Sequence, residues 1–404
     1  MVLTPLVKFL GIAIAISTLT YFGILSLMIA FPVLQSYLFY LHRVTQTWFK
    51  DLNVPEQFGF LHNQVTPFFI STVDGERLHA WHILPLGLYR RHQDELLAQP
   101  SGLTGDMTSR LALQLLRDDP EARLVIYFHG TAGTLASGYR ANCYRNLYSC
   151  APDKIHVIAA DYRGYGYSSG IPSEKGLLID AISLVDWAMQ IAGVPPSRIV
   201  IFGQSLGSAV AISLSHHFAF HAPPVSFAGM VLVASFSDVA TLMATYRIGG
   251  IIPVLSPLAY FPRLLSFFNS FLASTWLSKD RIAQFVKLNE DDGAGRRKYH
   301  ITLIHAEDDT VISFSHTEVL FWHAVSATSP LGKSCEELER EKLTLKTNLG
   351  AGGWSVEWRT ERGVIREEII KYGEHDKLMA YPTIGIAVLR AFRAADPTFG
   401  TLIR

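Results

Sequence analysis

The distribution of apolar and polar positions divides the chain into segments of distinct character. From Phe9 to Leu41 no charged residue occurs, and Lys8 and Arg43 bracket the run. About 20 apolar residues suffice to cross a bilayer, so this stretch predicts one spanning helix over about residues 9–31, terminated by Pro32. Further along, the period changes. Val65 to Ser71 and Arg77 to Leu84 are short β-rich runs separated by Asp74-Gly75, a hairpin signal. Leu124 to Phe128, Val157 to Ala160, Ile199 to Phe202, Met230 to Val233 and Ile301 to Ile304 are apolar runs of the kind found in strands buried on both faces. Helical patterns lie between them at Gly138 to Cys150, Gly176 to Ala192 and Leu206 to Phe218, as parallel strands require. The succession predicts the α/β class: a mostly parallel central sheet with helices on both faces, opened by an antiparallel hairpin.

Three stretches depart from this rhythm. Asp94 to Asp106 mixes Gln, Pro, Ser, Gly and acidic residues as an exposed loop does. Ser237 to Lys298 is rich in Leu, Phe, Pro and Tyr, and Pro253, Pro257 and Pro262 argue against one long core helix there. It reads as an inserted lid with an apolar face, the other reading being a few core helices of the same domain. Ser329 to Gly353, charged from Glu336 to Lys346 and Gly-rich at its end, reads as a solvated helix and loop.

Roughly a dozen Leu, Ile, Phe and Met between Phe9 and Phe31 each contribute about −0.3 to −0.6 kcal/mol to insertion, a sum of order −5 kcal/mol. Tyr37, Phe39, Tyr40 and Trp48 follow at the level where amphipathic rings favour the headgroups. A cleaved signal peptide is the competing reading, against which the run is longer than such a peptide needs. The organisation is therefore an anchor over residues 1–45 and a catalytic domain over 46–404, with the lid at about 237–298. The flanking charges nearly tie, so they leave the orientation open.

Composition narrows the class further. The chain has 35 Lys+Arg against 35 Asp+Glu, with 49% hydrophobic residues, which excludes a disordered chain or a nucleic-acid-coating protein. Three irregularly spaced cysteines, Cys143, Cys150 and Cys335, make neither a disulfide framework nor a zinc site. No metal or nucleotide cofactor and no obligate protein partner is indicated.

The reactive residues lie where strands end. Gly203-Gln204-Ser205-Leu206-Gly207 follows an apolar strand directly and runs into a helix, the context of a nucleophile elbow. Gly166-Tyr167-Ser168-Ser169-Gly170 fits the same pattern, but no strand enters it and Pro172 follows, so Ser205 is the candidate nucleophile. A serine needs a histidine base and a carboxylate to orient it, in the chain order Ser, Asp or Glu, His. Glu307-Asp308-Asp309 lies beyond the strand Ile301 to Ile304; Asp309 is favoured by its offset from Val311-Ile312, with Asp308 and Glu307 as alternatives. His375 sits on a loop between the strand-like Arg366 to Tyr372 and the last helix, whereas His316 and His323 read as packing residues. Two backbone amides complete an oxyanion hole, Leu206 after the nucleophile and Thr131 in the loop His129-Gly130-Thr131-Ala132-Gly133-Thr134.

These residues resemble the α/β-hydrolase superfamily and, within it, the membrane-anchored lipases of the α/β-hydrolase domain-containing protein 12 type. The resemblance runs from about Phe58 to the end. It is carried by Asp74-Gly75 with Leu78-His79-Ala80-Trp81, His129-Gly130, Asp161-Tyr162-Arg163-Gly164, Ser173-Glu174-Lys175-Gly176, the elbow, His305-Ala306-Glu307-Asp308-Asp309 and Gly373-Glu374-His375-Asp376. It implies an α/β-hydrolase fold and a single-pass endoplasmic-reticulum protein with a luminal catalytic domain. It also implies deacylation of monoacylglycerols and lysophospholipids, lysophosphatidylserine among them. Ser313, where the family usually has proline, and the segment Ser329 to Gly353 depart from the pattern. The reading is a serine hydrolase of acyl lipids, with a bilayer as its setting and no nucleic acid. A peptidase or thioesterase on the same machinery, and a membrane-tethered scaffold without catalysis, are the alternatives.

Overall fold

The computed structural model describes residues 3–248, 252–253, 255–292 and 298–400. Strands β1 (Val65–Ser71), β2 (Arg77–Ile83), β3 (Arg123–Phe128), β4 (Ile155–Ala160), β5 (Ile199–Gln204) and β6 (Gly229–Val233) come first. A small hairpin of β7 (Arg247–Ile248) and β8 (Ile252–Pro253) precedes β9 (Tyr299–Ala306), β10 (Thr347–Asn348), β11 (Gly353–Arg359) and β12 (Gly363–Ile370). The ten-stranded sheet has the order β1-β2-β4-β3-β5-β6-β9-β12-β11-β10. Its six central strands, β4 through β12 in that order, are parallel, and the strands outside them pair antiparallel.

Both sheet faces are covered, which explains why the central strands are apolar at consecutive positions. Along β3, Leu124, Ile126 and Phe128 enter one core while Val125 and Tyr127 enter the other. The first core is shared by helices Glu174–Asp186, Leu206–Ala219, Ser278–Glu290 and Ser315–Ser326, and the second by Arg140–Ser149 and Pro382–Ala395. The parallel register brings Phe128 level with Gly203, Gln204 with Val233, Val233 with Ile304 and Ala306 with Ile370. Loops leaving these ends therefore gather at one edge of the sheet.

The apolar start is a helix of 28 residues, Leu3–Ala30, about 42 Å long at 1.5 Å per residue and so longer than the hydrocarbon core of a bilayer. Its section Val7–Ala30 is long and apolar enough to cross a membrane, with little of it buried. Pro32 ends it and also opens a second helix, Pro32–Tyr40, because the amide that proline lacks has no partner at a helix start. That helix corrects one expectation: Tyr40 does not face a headgroup layer but is fully buried, with its hydroxyl 2.9 Å from Ser274 Oγ and accepting from Trp276 Nε1 at 3.3 Å.

Three other expectations change. The insertion after β6 ends earlier than Lys298: Ser278–Glu290 packs on Leu206–Ala219 and Ser315–Ser326, with Ile282 and Val286 buried in the core. Residues 293–297 of that expected lid lie outside the described residues. Asp94 to Asp106 begins in the short helix Gln93–Leu97, whose Leu96 is buried. Ser329 to Gly353 is not simply solvated. Helix Cys335–Leu345, capped by Ser334 and Glu337, buries Leu338 and Lys342, and β10 extends the sheet. Local composition missed this because the partner that buries Lys342 is distant in sequence, Glu367 at 2.9 Å.

Candidate active site

Between β5 and helix Leu206–Ala219 the chain reverses within one residue, and Ser205 takes φ 55 and ψ −119. A non-glycine backbone in such a region stores about 1–3 kcal/mol. Neighbouring interactions hold it: the Ser205 amide donates to Val233 O at 2.9 Å, and its carbonyl accepts from Ser208 Oγ at 2.6 Å. The flanking glycines are required by space. A Cβ at Gly203 would collide with the Gly207 carbonyl, and one at Gly207 with the Phe128 carbonyl. The result presents Ser205 to a cavity at the sheet edge, just ahead of a helix amino terminus.

His375, beyond β12, lines the same cavity. Its Nδ1 lies 2.7 Å from Asp309 Oδ2. A carboxylate only accepts, so Nδ1 carries the proton and the Nε2 lone pair is left for another partner. Burial by itself lowers the affinity of His375 for a proton, but the hydrogen bond and charge of Asp309, with the charge of Asp376, outweigh it and raise the pKa above its usual value. Burial likewise pushes the Asp309 carboxyl up, and hydrogen bonds from His305 and His375 reverse this and hold it well below the carboxylate range.

Asp309 is further fixed by the amides of Val311 and Ile312, which donate to its Oδ1 at 2.8 and 2.9 Å. The two alternative carboxylates are engaged elsewhere. Glu307 pairs with Lys371 at 2.5 Å, and Asp308 accepts from the Glu374 amide at 2.7 Å. Ser168 also has another occupation, donating to Asp161 O and accepting from the His79 amide. His316 packs as expected and lies 3.0 Å from the Ser237 hydroxyl.

Thr131 and Leu206 join Ser205 and His375 in lining the cavity, together with Phe236, Leu242, Met243, Tyr246, Val311 and Ile312. Leu206 is the first residue of its helix, so its amide has no intrahelical acceptor. The Thr131 hydroxyl donates to the carbonyls of Phe39 and Tyr40 at 2.8 and 2.9 Å, and the Ala132 and Gly133 amides donate to Tyr40 O and Val44 O. The loop after β3 is thus laced to the segment that follows the apolar helix.

Sequence reading missed two residues here. Arg140 is buried and donates to the carbonyls of Gly130, Thr131 and Ala132 at 3.0, 3.3 and 2.9 Å, and also to Thr134 O. By drawing those carbonyls to one side it fixes the peptide planes of the loop. His305 Nε2 lies 3.1 Å from Asp309 Oδ2 and 3.0 Å from Ile312 O. Both are acceptors, so Nε2 is protonated and Nδ1 accepts from the Thr317 hydroxyl at 2.7 Å. Its position in the His-Ala-Glu-Asp-Asp segment was the available signal for His305; for Arg140 the sequence offered none.

The sheet order, the elbow and the loops gathered above it are those of the α/β-hydrolase fold. The family described as alpha/beta hydrolase fold matches residues 123–313. Within that fold the chain resembles the lysophosphatidylserine lipase ABHD12 of Danio rerio, 27% identical over 299 residues, covering 74% of this chain and 68% of the relative. The Gallus gallus lysophosphatidylserine lipase ABHD12 is 25% identical over 347 residues, covering 85% and 79%. Among solved structures, an alpha-beta hydrolase from Vibrio vulnificus superposes with a TM-score of 0.53 at 13% identity, covering 89% of this chain and 93% of that one, a likeness of fold.

Proposed function

We propose that this protein is a membrane-anchored lipase that cleaves the acyl ester of monoacylglycerols or lysophospholipids through Ser205, His375 and Asp309. Ser205 Oγ attacks the ester carbonyl while His375 Nε2 takes its proton, and Asp309 holds the ring through Nδ1. The amides of Leu206 and Thr131 receive the developing oxyanion, each worth about 10² to 10³ in rate. His375 then gives its proton to the departing alcohol, leaving an acyl group on Ser205. Water repeats the sequence, yielding the fatty acid and free serine.

The observation that carries this reading is the coupling of Asp309 to His375 at 2.7 Å beside the cavity that Ser205 also lines. The apolar helix Val7–Ala30 and the resemblance to lipid lipases support a lipid substrate and a single-pass setting, for which the endoplasmic reticulum is our choice. The test compares membranes carrying wild type or Ser205→Ala. A fluorophosphonate probe is expected to label wild type alone, and only wild type is expected to release fatty acid from monoacylglycerol and lysophospholipid. Labelling that survives Ser205→Ala, or cleavage confined to peptides or thioesters, would overturn the proposal.

A further inference from the structure

A second cavity lies between the apolar helix, the helix Pro32–Tyr40 and the insertion after β6. Its walls include Leu25 and Met28 from the first helix and Val239, Leu255, Phe268 and Leu272 from the insertion. No charged side chain is found in its lining among the described residues. The polar atoms that reach it are largely spent on the protein. Gln35 Nε2 donates to Met28 O at 3.0 Å and to Phe271 O at 2.9 Å, and its Oε1 accepts from the Ala273 amide at 2.9 Å. That clasp also ties the insertion to the bend between the two helices. The space thus offers a ligand hydrocarbon contacts and no ionic partner.

Three residues, Phe39, Met243 and Tyr246, line both this chamber and the cavity that holds Ser205 and His375. The two spaces are back to back across shared walls. Leu25 and Met28 belong to the last turns of the helix whose earlier turns, at Phe9, Leu10 and Leu19, are exposed and apolar. One wall of the chamber is therefore the membrane-spanning element itself. The insertion meets that element directly, with the rings of Phe22 and Phe268 centred 6.2 Å apart.

Resting on the lipase reading above, we propose that this chamber is the acyl-chain site. The ester of a membrane lipid lies in the catalytic cavity, and its hydrocarbon tail passes Phe39, Met243 and Tyr246 into the chamber, arriving sideways from the bilayer. The physical reason is solvation. Each methylene exposed to water disfavours transfer by about fourfold, so withdrawing a long chain through solvent is prohibitive. A tail that moves from lipid hydrocarbon into an apolar chamber walled by the spanning helix avoids that exposure.

The experiment uses the full chain in membranes and measures second-order inactivation by two fluorophosphonates that differ only in their tails, ethyl and hexadecyl. Leu272→Trp and Leu25→Trp fill the chamber from opposite walls, and Leu272→Ala enlarges it. Each Trp variant is expected to lower the hexadecyl-to-ethyl rate ratio at least tenfold, and Leu272→Ala to shift cleavage of monoacylglycerols toward longer chains. Leu343→Trp, on an exposed surface position, is expected to keep the wild-type ratio. Trp variants that label with a wild-type ratio would overturn the chamber while leaving the hydrolase reading intact. If a Trp variant loses reactivity with both probes, its site is lost and the Leu272→Ala profile decides, an unchanged chain-length preference counting against the proposal. Wild-type protein inert to both probes would instead sink the hydrolase reading.

Discussion

The hydroxyl of Thr131 donates to the carbonyl of Tyr40 at 2.9 Å, joining the loop after β3 to the last residue of the helix that follows the apolar span. Because the Thr131 amide is a proposed oxyanion donor, this bond fixes its aim from outside the sheet. Thr131→Val removes the donor from the Phe39 carbonyl and this tether to Tyr40, whose carbonyl keeps the Ala132 amide and the Tyr165 hydroxyl. The expected result is a fall in kcat of about ten- to a hundredfold, since small displacements of catalytic groups cost that much. Thr131→Ser should retain most activity. Steady-state kinetics on a monoacylglycerol separates the two, and equal losses would show that the bond has no part in positioning.

Arg140 holds the other side of that loop. Arg140→Met leaves several buried carbonyls without their charged donor, so the expected loss is about 3 kcal/mol of stability and a slower reaction with fluorophosphonate. Arg140→Lys should recover only part of both, because an ammonium cannot span the carbonyls that a planar guanidinium reaches. Thermal unfolding and labelling rate check this, and a Lys variant matching wild type would refute it.

The pH profile follows from His375. To act as a base it must be neutral, and its pKa in the folded protein is raised above 6.5 because Asp309 outweighs the burial that by itself lowers it. The acidic limb of kcat/KM is therefore expected above pH 6.5, with activity rising as pH rises through it. Asp309→Asn should move that limb down and reduce kcat by about 10⁴, the order seen when a triad carboxylate is lost. The same shift bears on stability. The stabilising Asp309–His375 interaction is fully present below the unfolded pKa of about 6.5 and is lost as pH rises through the folded pKa.

A separate pH effect is expected where helix Cys335–Leu345 meets β12. Burial pushes Glu367 up to about 7, although Lys342 opposes the shift. Its proton is thus held more tightly in the folded state, so its contribution to stability is largest below about pH 4.5 and declines as pH rises toward 7. Lys342→Met strips away the partner at 2.9 Å. Above pH 7 the variant should lose about 3–5 kcal/mol, the penalty for an unpaired buried charge, and noticeably less at pH 5. Denaturant titrations at the two pH values test the difference.

What the sequence disclosed depended on how local each signal was. The elbow was legible because a strand, a serine between glycines and a helix are contiguous, and the spatial reason for Gly203 and Gly207 is local as well. Asp309 was less distinct: the Val311 and Ile312 amides that hold it gave a local signal, but the remaining difference among the three acidic residues is in distant partners, Lys371 for Glu307, the Glu374 amide for Asp308 and His375 for Asp309. Tyr40 read as an interfacial aromatic because the groups that bury it, Ser274 and Trp276, lie more than 200 positions away. The end of the insertion was misread for the same reason. Ser278–Glu290 is a core helix by virtue of the neighbours it packs on.

The placement of the first helix beside the chamber changes what concentration means for this enzyme. On the proposal that the apolar helix spans the bilayer and the chamber takes the tail, the protein samples substrate per unit of lipid rather than per volume of water. Diluting a lipid substrate with inert lipid at constant bulk amount should therefore slow turnover in proportion, while changing the aqueous volume at fixed lipid composition should leave it unaltered.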